Sequence, residues 1–175
     1  MNKKVTAAIL CSILSSSLAC ADAWQPAYKG SAGKYGEMLA WVKTKKPSLF
    51  SKTTKAVVAI VFENDRLKGT FREYDTSKIS LEIDCEAKLM TATSKRSTFY
   101  RGRLVDSEEI KFLSNYPIRT DTLIGLAASF SCNKEERETT KAYDFYNLND
   151  MLIKTRASFF KYRNPKVNGI PDPVN

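Results

Sequence analysis

Only two of the four cysteines, Cys85 and Cys132, stand outside an apolar leader, and that placement restricts what the chain can fold into. Cys11 and Cys20 lie in a segment that opens with Met1, Asn2, Lys3 and Lys4, runs through apolar residues at 5–14, and ends in Leu18-Ala19-Cys20-Ala21-Asp22-Ala23. A charged start, a short apolar core and small residues before a cut make a bacterial-type signal peptide, assigned to residues 1–21. The apolar run of about ten residues is well short of the roughly 20 that cross a bilayer as a helix, so export is expected rather than a permanent span. In an oxidising compartment the two remaining thiols are expected to pair. Closing a loop of about 48 residues stabilises a fold by roughly 4 kcal/mol on the chain-entropy account. The rival reading is a metal pair, but the sequence has no histidine, and two lone thiolates are too few ligands for a tetrahedral zinc site.

Two maturation routes compete at the leader. Cleavage after Ala21 or Ala23 releases a soluble protein into the periplasm. Lipidation makes Cys20 the anchored first residue and takes the product to the outer-membrane surface, although in Ser17-Leu18-Ala19 the large residue falls one place later than a lipoprotein signal wants. Membrane attachment is expected only through such an anchor.

The 175 residues carry 28 Lys plus Arg against 19 Asp plus Glu, and 43% are hydrophobic. That is enough for a packed core. Removing 1–21 takes away two lysines and no acid, leaving +7. Such a field favours acidic partners: lipopolysaccharide phosphates, anionic lipids or sulfated glycans. Nucleic acid is not expected, because an exported protein seldom meets it.

The clearest local pattern lies before Cys85: Ile79, Leu81, Ile83 and Cys85 alternate with Ser80, Glu82, Asp84 and Glu86, the period of a half-buried strand with its cysteine facing inward. Residues 38–43 and the apolar run 56–62 read as strands, the second buried on both faces or placed centrally. Glu63-Asn64-Asp65 reads as a turn, Leu67, Gly69 and Phe71 as the returning arm, and Asp75-Thr76-Ser77 as the next turn. Residues 89–93 and 98–104 continue the series. Short strands joined by polar turns argue for an antiparallel meander of about five to six strands.

Past residue 120 the periodicity changes. Thr120 or Asp121 is positioned to cap a helix in which Leu123, Ile124, Ala127, Ala128 and Phe130 form one apolar stripe. Residues 134–141 read as a solvated helix or a linker. A further helix follows, capped by Asn149 or Asp150, with Leu148, Met151, Leu152, Thr155 and Phe159 on one face. It ends before Asn164-Pro165, and the tail 165–175 reads as irregular. The fold class is therefore α+β: an antiparallel sheet, a packed helix tied to it by one disulfide, and an extra C-terminal helix.

The strand Ala40-Trp41-Val42-Lys43 followed by Lys46-Pro47, then Ser80-Leu81-Glu82-Ile83-Asp84-Cys85, Phe99-Tyr100-Arg101-Gly102, Pro117, and a helix ending in Phe130-Ser131-Cys132 together resemble the bacterial surface-adhesin protein E-like domain family. The resemblance spans 24–132, which places that domain at 22–132 and leaves 133–175 as a helical extension and tail. It implies a small sheet with a packed helix, a disulfide between the two cysteines named, and exposure in the periplasm or at the outer surface. It also implies adhesion to host matrix proteins.

Enzyme chemistry finds little to work with: no histidine, no GxSxG elbow, no phosphate-binding glycine loop and no free mature cysteine. Glu82, Asp84 and Glu86 share a strand face, but acids opposite a core face are ordinarily its wet side. No catalytic residue, cofactor or metal is expected. The candidate ligand-binding group is Lys95, Arg96, Phe99, Tyr100, Arg101 and Arg103, because exposed aromatics interleaved with arginines are common interface anchors. The leading expectation is a non-enzymatic envelope or surface protein, adhesin-like, that binds a host or envelope macromolecule through this basic and aromatic surface. The alternative is a periplasmic inhibitor or immunity-like protein that blocks an enzyme or toxin, and a structural envelope factor is third. An added edge strand or a helix pair would equally make a homodimer.

Overall fold

Apolar alternation carries the chain into an antiparallel sheet of eight strands, more than the five or six expected. The computed structural model describes residues 23–45, 52–68, 72–111 and 113–163; the leader with Cys20, Lys46-Pro47, Gly69, Phe71 and the tail from 164 lie outside them. Strands β1 (Gln25–Ser31), β2 (Glu37–Lys45), β3 (Thr53–Lys68) and β4 (Arg72–Asp84) pair in sequence. Shorter strands follow: β5 (Leu89–Ala92), β6 (Arg96–Tyr100), β7 (Arg103–Glu108) and β8 (Tyr116–Pro117). The helices are α1 (Leu123–Cys132), α2 (Lys134–Thr139) and α3 (Leu148–Arg163).

Strand β4 is a branch point. Its residues 81–84 pair with β5, while residues 76–78, on the same edge, pair with β6. Because β5 leads on to β8 and β6 to β7, the sheet forks there.

The period of two sorts side chains onto two buried faces. On one, Val42, Ala56, Val58, Ile79, Leu81 and Ile83 pack against Ala127, Ala128 and Phe130 of α1. On the other, Leu39, Trp41, Ala59 and Val61 pack against Met151, Leu152 and Phe159 of α3. The unbroken apolar run at 56–62 is thus explained by burial on both faces. Each such large side chain taken out of water contributes roughly 1.5–3 kcal/mol. Trp41 also meets the rings of Tyr143 and Phe145 edge-on, with centroids 5.4 and 4.8 Å away. Among the described residues, the segment after Cys132 therefore supplies the helical cover of the second face. Cys85 and Cys132 form a disulfide with Cα atoms 5.5 Å apart, tying the end of α1 to the end of β4.

Several local expectations shift. Glu63-Asn64-Asp65 ends no strand: residues 62–65 of β3 bulge out opposite the single β4 residue Asp75, because Val61 pairs with Thr76 and Arg66 already with Tyr74. Asp75-Thr76-Ser77 is likewise buried strand, not a turn. The bulge is held from outside the hairpin, where Arg156 of α3 donates through Nε to the Phe62 carbonyl at 3.0 Å and through its terminal nitrogen to Asp65 at 2.6 Å. Residues 98–104 are a hairpin rather than one strand, turning at Arg101 and Gly102. The helix caps also move. Thr122 caps α1 by accepting the Gly125 N–H, and Asn147 accepts the Asp150 N–H at the start of α3.

Candidate functional site

The six residues singled out from the sequence fall on and beside the β6–β7 hairpin, where the structure divides them. Lys95, Arg101 and Arg103 are exposed, and so is Leu104 next to them. Phe99 and Tyr100 are half-buried beneath cations: the Lys78 ammonium lies 5.3 Å from the Phe99 ring and the Arg101 guanidinium 5.2 Å from the Tyr100 ring. Such pairs desolvate the ring faces while leaving the charge at the surface. Arg96 is turned away from the group and pairs with Glu108 across the two strands.

The hairpin tip is fixed by backbone chemistry. Tyr100 pairs with Arg103, so the loop between them has two residues, Arg101 (φ 48°) and Gly102 (φ 77°). Positive φ at both central positions matches the twist of the flanking strands. Glycine adopts it freely, but an arginine there costs about 1–2 kcal/mol. A compensating contact comes from Asp75, fully buried on β4 beside the β3 bulge, whose carboxylate accepts the Arg101 backbone N–H at 2.5 Å. The same carboxylate accepts the Thr76 hydroxyl at 2.9 Å. Burial pushes Asp75 above the ordinary aspartate value; its two hydrogen bonds and the charge of Arg156 pull the other way without prevailing, and Asp65 adds to the rise. Gly102 rests on Asn149 in the first turn of α3, so that a Cβ there would stand 3.0 Å from the Asn149 Cβ. The tip is therefore a rigid platform that presents Arg101, Arg103, Tyr100 and Leu104.

A second feature carries no signal in the sequence. Over the fork of the sheet, between β2–β6 and the first turn of α1, lies a half-open cavity of about 380 Å³. Its walls are largely apolar, with Ile60, Ile79, Met90, Leu113 and Ile124 prominent. Polar residues interrupt them, among them Arg66, Arg96, Thr98, Ser77 and Thr122. Thr98 is 3% exposed, and neither its hydroxyl nor the Nε of Arg96 has a hydrogen-bond partner. The Arg66 guanidinium lies 4.6 Å from the Phe62 ring, 4.7 Å from Tyr35 and 5.9 Å from Tyr74, and no carboxylate among the described residues pairs with it. Arg66, Arg96 and Thr98 come from strands far apart in the chain, and only the register brings them together.

Among the described residues no three carboxylate or cysteine groups converge in a way that would hold a metal ion, and no helix is long and apolar enough to cross a membrane. No family model, curated protein or solved structure matches this chain.

Proposed function

We propose that this chain is an exported, non-enzymatic binding protein of the bacterial periplasm or outer surface, adhesin-like, that docks an acidic host or envelope macromolecule through the β6–β7 hairpin. The observation that supports this reading is the locked tip. Arginine and tyrosine anchors bind best when the loop carrying them has little conformational freedom left to lose, and here Asp75 and Asn149 hold that loop before any partner arrives. The basic balance of the chain agrees in sign with an acidic partner. The leader at 1–21 and the resemblance to the protein E-like family point to the same compartment and the same kind of partner.

A rigid two-residue hairpin also suits the alternative, an inhibitor or immunity-like protein that inserts its tip into an enzyme cleft. One experiment separates them. Mature protein is passed over immobilised lipopolysaccharide and host matrix at low and at about 0.5 M salt, beside the variant Arg101→Glu/Arg103→Glu. The expected result is salt-sensitive binding that falls at least tenfold in the variant. Equal binding by both proteins would sink the hairpin reading. Failure of wild type to bind either surface, with capture of a periplasmic hydrolase instead, would favour the inhibitor.

A further inference from the structure

We infer that the cavity over the fork of the sheet is a binding site for a single-chain amphiphile with a carboxylate head, that is, a fatty acid or a close analogue. Its volume of about 380 Å³ lies within the range of small-molecule sites, roughly 300–1,000 Å³. Mainly apolar walls with a few placed polar groups describe a site for a molecule that is mostly hydrocarbon.

The polar groups define the head. Buried hydroxyls and guanidinium N–H groups are normally satisfied, and each one left without a partner costs free energy. Thr98 and Arg96 are two residues apart on β6 and so share its cavity face; Thr98 Oγ1 and Arg96 Nε are both buried and unpartnered. A bound acceptor would satisfy both. The charge comes from Arg66, which lines the same cavity. Its face is taken up by the rings of Phe62, Tyr35 and Tyr74, which leaves its in-plane N–H fork for a planar, bidentate acceptor. A carboxylate fits such a fork. Because Glu108 already neutralises Arg96, Arg66 remains as the uncompensated cation among the described lining residues, which suits a monoanion better than a phosphate dianion. This site is separate from the hairpin surface: Arg101 and Arg103 do not line it, so the two readings stand or fall independently.

The test titrates laurate, below its micellar concentration, into the mature disulfide-bonded protein by calorimetry and by thermal melting. Dodecyltrimethylammonium and dodecyl phosphate serve as comparison probes. Saturable one-to-one binding of laurate with a rise in Tm is expected, and none of the cationic probe. Arg66→Gln should weaken laurate about tenfold or more, the scale of one charge-assisted hydrogen bond. Thr98→Val should raise the Tm of the unliganded protein, because it removes a buried unpaired hydroxyl, and yet weaken laurate. A merely structural threonine would not produce those opposite signs. Leu123→Trp, which fills the cavity, should abolish binding. The proposal is overturned if laurate does not saturate, if the cationic amphiphile binds as tightly, if dodecyl phosphate binds and laurate does not, or if Arg66→Gln and Thr98→Val bind like wild type.

Discussion

The indole N–H of Trp41 donates to Thr155 Oγ1 at 2.9 Å, joining the second strand to the last helix across 114 positions. Both residues are 1% exposed, so no water can substitute for either partner. Thr155→Val keeps the shape and strands the indole N–H in an apolar site. It should lower unfolding free energy by about 1–3 kcal/mol in urea titrations, while Thr155→Ser recovers most of the loss. No difference between the two variants would mean that the hydrogen bond contributes nothing.

Asp75 makes the stability of the fold depend on pH. Its folded pKa is raised above 3.8, so between that value and the raised one the folded protein binds more protons than the unfolded chain. Stability from this group is fully present below 3.8 and is lost as pH rises through the raised value. An asparagine keeps an acceptor for the Arg101 N–H and carries no charge to desolvate. The stability of Asp75→Asn relative to wild type should therefore climb from acid toward neutral pH. A flat difference across that range in urea titrations would contradict the assignment.

Legibility in the sequence differs from strand to strand. The stretch before Cys85 was plain because all its information is local: Ile79, Leu81 and Ile83 face one side and nothing interrupts the alternation. Residues 63–65 and 75–77 misled, since both carry turn-forming side chains whose partners lie far away. Glu63 accepts the Glu37 N–H, Asp65 meets Arg156, and Asp75 meets Arg101. Distant partners removed the reason for those residues to make a turn. The basic and aromatic cluster was legible as composition, but the turning of Arg96 away from it depends on Glu108, and the cavity depends on the fork in β4. Neither leaves a local pattern.

Gly102 tests the hairpin. Gly102→Ala forces a side chain into positive φ and against Asn149, at a cost of about 1–2 kcal/mol from the backbone alone. Binding to acidic surfaces should weaken even though no charge has changed. If affinity is untouched while stability falls, the tip does not need to be rigid.

Removing the disulfide should lower stability more than any single substitution above. Replacing both Cys85 and Cys132 with serine releases a loop of about 48 residues, worth roughly 4 kcal/mol. A loss below 1 kcal/mol in urea would mean that α1 holds its place on the sheet without the bond. Mass measurement with and without reductant gives the companion check, since two alkylatable thiols in untreated exported protein would show that the pair does not form.

That covalent tie acts on one end of a lever. It grips α1 at its last residue, Cys132, whereas the cavity wall is made by the first turn, at Leu123 and Ile124, about 12–14 Å along the same rod. The disulfide is therefore an anchor at the end of α1 remote from the cavity, and the turn that walls the cavity is held instead by the Thr122 cap and by the packing of Ile124 on the sheet core.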